Sequence, residues 1–169
     1  MSEFKDWLDK LDSHGACAAA MDWLESLPST YTPQTAWNNC KRGDWMAWYI
    51  DHAITESQLV QLAGCECAEI SLLKWEHPNS KRLRNLLVRI KEVALGLRDL
   101  GEILDGIKEA SKMIDPYSVA TALAGRMVVL NAKWLYDVVL ATKDDTACAR
   151  VIWFAFPTIP MIGWGDLPF

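Results

Sequence analysis

The chain has 169 residues, 51% of them apolar and 23% charged, with a formal net charge of −5. That composition excludes a disordered chain and suits one folded domain with a sizeable core. The acidic balance argues against direct nucleic-acid binding, which needs lysine and arginine to displace counterions from phosphates.

Phe4, Trp7, Leu8 and Leu11 recur at helical spacing, with Lys5, Asp6, Asp9 and Lys10 on the other side, which predicts an amphipathic helix. Ser13-His14-Gly15 interrupts it. A second helix over residues 16–26 places Ala20, Trp23 and Leu24 on one face, and Pro28 follows its end. Thr32-Pro33 joins a capping hydroxyl to a proline at the first helical position. The helix it opens carries Ala36, Trp37 and Cys40 and is expected to stop at Gly43. Asp44 then caps a helix over residues 45–54, so Arg42-Gly43-Asp44 reads as a stop and a cap and not as an adhesion tripeptide.

Thr55 and Gln58 have capping-box spacing and predict a helix to about residue 75, with Leu59, Leu62, Ala63, Ile70 and Leu73 on its buried face. After a break at residues 77–80, Leu83, Leu86, Leu87 and Ile90 oppose Lys81, Arg82, Arg84 and Arg89. This is an amphipathic helix with a basic outer face. A weaker helical stretch with Ile103 and Ile107 contains Gly101 and Gly106, which lower its propensity. Asp115-Pro116 opens what the periodicity predicts as one long helix, through Val119, Leu123, Met127, Leu130 and Trp134 to Val138. Asp144 or Asp145 begins a last helix through Trp153. The expected architecture is all-α: one domain over residues 1–156, a bundle or irregular array of about seven helices. The proline- and aromatic-rich residues 157–169 form a tail packed on it or extending from it.

The chemistry-bearing residues are sparse. Five cysteines, Cys17, Cys40, Cys65, Cys67 and Cys148, follow an N-terminal stretch without an apolar signal region, and predict reduced thiols and a cytoplasmic location. Cys65 and Cys67 point in different directions on a helix, and no second pair completes a zinc set. No apolar run approaches the roughly 20 residues of a membrane helix. Neither a nucleophile elbow nor a phosphate loop is present. The sequence therefore predicts a non-catalytic protein with no metal and no cofactor.

Charge is uneven: residues 1–76 hold twelve acids against five bases. Such a half can steer a basic protein partner. The candidate partner-binding residues are Asp22, Glu25, Asp44 and Asp51, with Trp164, set between glycines in the tail, as the aromatic most open to contact.

Residues 35–50, Thr-Ala-Trp-Asn-Asn-Cys-Lys-Arg-Gly-Asp-Trp-Met-Ala-Trp-Tyr-Ile, resemble a motif of an immunity protein family of bacterial polymorphic toxin systems, also found in phages. The preceding Ala16-Cys17 to Trp23-Leu24 helix and the Cys65–Ala68 segment are similar too, so the likeness is strongest over residues 16–70. It implies structural weight for Trp37, Cys40, Gly43, Asp44, Trp45 and Trp48. The functional expectation is an inhibitory binding protein, an immunity protein or a phage antagonist of a host defence enzyme, that occludes a protein partner. Such a chain binds no nucleic acid or membrane and can form a homodimer. The rivals are a small helical enzyme or nucleotide-binding protein, with a pocket lined by His52, Cys65 or Arg126, and a phage assembly protein.

Overall fold

A computed structural model describes residues 3–54, 57–74, 78–113, 115–130 and 134–160. Among them are ten α-helices and no strand, in chain order α1 (Glu3–Ser13), α2 (Ala18–Glu25), α3 (Pro33–Asn39), α4 (Gly43–Ala53), α5 (Ser57–Lys74), α6 (Ser80–Ala94), α7 (Gly101–Ala110), α8 (Pro116–Val129), α9 (Leu135–Thr142) and α10 (Asp145–Ala155). The all-α class is as expected; the count of about seven is not. None of the helices is long and apolar enough to cross a membrane.

Helix α5 is the axis. It packs on α6, α8, α9 and α10, while α4 closes against α9 and α10 and α7 covers α6 and α8. Its small buried residues Ala63, Cys65, Cys67 and Ala68 let four neighbours approach it. Burial on several sides also corrects the face read from spacing at two positions, although Ala63 is buried as expected. Leu59 and Leu73 are exposed, whereas Val60 and Leu72 are buried, because a helix that is apolar nearly all round has no single stripe for a 3.6-residue period to mark. Thr55 lies outside the described residues, and the Gln58 side chain donates across to the carbonyl of Ala94 at 2.7 Å.

Several helix ends follow from local chemistry. The Thr32 hydroxyl accepts from the Thr35 amide at 3.2 Å and caps α3. Asp115 accepts from the Tyr117 and Ser118 amides and caps α8, and Asp144 accepts from Ala147 and caps α10. Gly15 and Gly96 end α1 and α6 at φ values of +81° and +72°, a region that costs glycine nothing. α7 runs unbroken through Gly106, where the glycine leaves room for Leu86 of α6.

The single long helix expected from Val119 to Val138 is two. α8 ends at Val129, and α9 begins afresh at Leu135 under a cap supplied by another helix. The two carboxylate oxygens of Asp51, on α4, accept from the amides of Leu135 (3.2 Å) and Tyr136 (2.9 Å). In a continuous helix those amides would bond carbonyls one turn earlier. Periodicity cannot see a cap that arrives from 84 residues away. Asp51→Ala is expected to cost about 1–2 kcal/mol, a fall of roughly 2–8 °C in melting temperature for a chain of this size, read by circular dichroism. Asp51→Asn, which keeps one acceptor oxygen, should lose less.

Candidate functional site

α1, α2 and α3 meet α4 through large rings. Trp7 stands edge-on to Tyr49 with centroids 6.2 Å apart, Trp23 leans on Trp45 at 5.6 Å, and Trp37 leans on Tyr49 at 5.6 Å. Rings of this size act as spacers as well as contacts. Between them lies a partly open cavity of about 260 Å³. Its inner wall includes Trp7, Trp23, Trp37, Trp45, Trp48 and Tyr49, and the exposed Gly15, Cys17 and Tyr136 stand at its mouth.

The motif of residues 35–50 is concentrated here. Trp37, Cys40, Asp44, Trp45 and Trp48 all line the cavity. Trp37 is 4% exposed and donates its indole N–H to the carbonyl of Phe156 at 2.9 Å. Trp48 stacks on His52 with centroids 4.3 Å apart, and the His52 Nδ1 lies 2.7 Å from the Trp48 carbonyl oxygen. Trp45 and Trp48 are both half-buried and line the cavity.

Gly43 corrects the sequence reading. It is not a left-handed stop, and Asp44 is not a cap; α4 already begins at Gly43, preceded by Arg42. A Cβ on Gly43 would stand 2.6 Å from the carbonyl oxygen of Asp145 and 2.8 Å from Cys148 Cβ. Glycine is there because α4 and α10 touch at that point. The same approach lets Arg42 reach both helices. Its Nε and Nη2 donate to the two oxygens of Asp44 at 2.9 and 2.6 Å, its Nε lies 3.3 Å from Asp145 Oδ2, and its guanidinium stacks 4.6 Å from the Trp45 ring centroid. Burial and the nearby Asp44 charge raise the Asp145 carboxyl, and the arginine opposes that rise.

The four acidic candidates therefore separate. Asp44 is 7% exposed and bound by Arg42, so it is not an open docking carboxylate. Asp51 is half-buried under the end of α9. Asp22 and Glu25 are exposed on α2. At 100° per residue they lie on the side of that helix away from Ala20, Trp23 and Leu24, which face the cavity. Trp164 lies outside the described residues. The tail as far as Pro160 is docked: Gln34 donates to the Pro157 carbonyl and accepts from the Ile159 amide, and the Tyr49 hydroxyl donates to the Pro160 carbonyl at 2.8 Å.

The thiols are unequal. Cys17 is exposed at the cavity mouth. Burial pushes the Cys40 thiol up to about 11, against the opposing effect of a backbone hydrogen bond at Arg42. Cys65 is pushed up to about 12 by burial. Iodoacetamide at pH 7.5 is thus expected to label Cys17 first and alone in the folded protein, since the thiolate is the nucleophile. Peptide mass mapping checks this; equal labelling of Cys17 and Cys40 would contradict the burial.

His52, Cys65 and Arg126, the residues expected to line an enzyme pocket, do not line this cavity. Among the described residues no group of three or more His, Cys, Asp or Glu is placed to hold a metal ion. The sequence signals the cavity only through its nine tryptophans in 169 residues. What brings Trp7 and Trp23 to the motif is the packing of α1 and α2 on α4, which spacing within each helix does not encode. Comparison with family models, with curated proteins and with solved structures found no match to this chain.

Proposed function

We propose that the chain is a non-catalytic binding protein of the immunity or anti-defence kind, which occludes a basic protein partner with the outer face of α1 and α2. The observation that carries this is the division of those helices into two sides. The six acids of residues 3–39, Glu3, Asp6, Asp9, Asp12, Asp22 and Glu25, are all exposed and face only two lysines, Lys5 and Lys10. Behind them Trp7 and Trp23 are locked onto α4 by ring contacts. A charged face on a rigid support steers a partner and loses little entropy on docking.

Two cations of α6, and Arg98 beyond its end, are paired within their own neighbourhood and do not compensate that field. Arg82 pairs with Glu109, Lys91 with Glu66 and Glu69, and Arg98 with Glu92 and Glu102. The likeness of residues 16–70 to the immunity family supports the same reading.

The test is capture from the native host with tagged wild type and with the double variant Asp22→Lys/Glu25→Lys. Reversal of two exposed charges should leave the melting temperature within about 1 °C and cut recovery of the partner at least tenfold, a change of about 1.4 kcal/mol. The captured complex should weaken as salt rises. Equal recovery by both proteins would sink the acidic-face reading.

A further inference from the structure

From the cavity between α1, α2, α3 and α4 we infer a binding site for one small, uncharged, planar aromatic molecule of about two fused rings. The inference is independent of the acidic face, which lies on the other side of α1 and α2.

Size comes first. An apolar cavity of about 150 Å³ takes a benzene molecule, and this one measures about 260 Å³. A second fused ring therefore fits. The shape of the site is set by rings that already rest on one another. To close the space, the contacts of Trp7 and Trp37 with Tyr49, or of Trp23 with Trp45, would have to break. The walls are thus held open at no further cost when a guest enters, which is what preorganisation requires. Indole walls favour a flat guest, because offset or edge-on ring pairs add to the gain from burying apolar area.

Charge selects among flat guests. The one carboxylate on the wall, Asp44, has both oxygens bonded by Arg42, through Nε and Nη2. The Cys40 thiol is neutral, held so by burial. A guest carrying either sign would lose its hydration and find no free counter-charge among the walls. A neutral ring system loses little. The mouth at Gly15, Cys17 and Tyr136 gives it a path in.

Indole itself is the probe, with indole-3-acetate as the anionic and tryptamine as the cationic counterpart. Titration calorimetry should show saturable binding of indole at one site per chain, with a rise in melting temperature as indole concentration increases. Both charged analogues should bind at least tenfold more weakly. Ala20→Phe places a ring in the cavity from α2 and should abolish indole binding while the helical spectrum is kept. Ala16→Leu, a smaller intrusion on another wall position, should weaken it. Three results would overturn the inference: no saturable binding of indole at millimolar concentration, equal binding by all three probes, or undiminished binding by both variants. So would a dimer of the wild type that Ala20→Phe dissociates, since the cavity would then be a contact between copies. Capture of the protein partner should be unaffected by either variant, which keeps this test separate from that of the acidic face.

Discussion

Raising the pH from 9 to 11 in reducing buffer is expected to remove on the order of 5 kcal/mol of folding stability, enough to unfold most or all of the protein. Three buried acids set this window. The Cys40 thiol rises from its ordinary 9.0 to about 11, the Cys65 thiol from 9.0 to about 12, and the Tyr49 phenol from 10.0 to about 12, each mainly through burial. Cys67 moves in the same direction, through its contact with the Cys148 thiol and through burial. Each group is neutral when protonated, and a buried site favours the neutral form. In the unfolded chain the thiols ionise near pH 9 and the phenol near pH 10. In the fold they keep their protons to about 11 or 12. Between those values the native state binds more protons than the unfolded one, so stability is whole below pH 9 and falls as pH climbs. Each group contributes a slope of up to about 1.4 kcal/mol per pH unit. Urea melts at pH 8, 9, 10 and 11 read the total, and Cys40→Ala should flatten the slope by one group's share. A constant urea midpoint from pH 9 to 11 would mean that these groups titrate as freely in the fold as outside it.

The sequence carried more of the fold than of the site, and the reasons are local. Caps are short-range chemistry. Thr32, Asp115 and Asp144 each bond an amide two or three residues ahead, so their spacing was enough to place the starts of α3, α8 and α10. The amphipathic helices α1 and α6 were equally legible, because each has one buried stripe and one charged face. Legibility failed where a neighbour from far along the chain decides the outcome. Asp51 divides one periodic segment into α8 and α9. α5 is buried on several sides, so spacing alone does not separate its buried Val60 and Leu72 from its exposed Leu59 and Leu73. The acidic residues looked alike as letters, yet Asp44 and Asp51 are engaged inside the fold while Asp22 and Glu25 are exposed. Charge counted along a sequence gives no indication of which carboxylates a fold will use internally.

Gly43→Ala should destabilise the protein by about 3 kcal/mol, at the upper end of what one inserted methyl group costs in a packed interior. The corresponding fall in melting temperature is about 6–12 °C. The new Cβ would meet the Asp145 carbonyl oxygen at 2.6 Å and the Ala149 amide nitrogen at 2.9 Å, as well as Cys148 Cβ at 2.8 Å. Two of these are backbone atoms of α10, which cannot turn aside as a flexible side chain does. Relief requires α4 and α10 to move apart, and that motion also strains the link from Arg42 to Asp145. Gly64→Ala is the control. Its Cβ would approach Met127 Cε at 2.5 Å, a closer contact on paper but with the free end of a methionine, which can rotate. There the gain in helix propensity, about 1 kcal/mol, offsets much of the crowding, and the net effect should stay within about 1 kcal/mol. Distance alone would rank Gly64→Ala as the worse substitution. The physical nature of the neighbour reverses that order, and urea denaturation of the two variants side by side decides between the rankings. Gly43→Asn, measured in the same way, tests why the Arg-Gly-Asp stretch has glycine at its centre: a helix terminator would tolerate asparagine there, whereas a point of contact between two helix backbones would not.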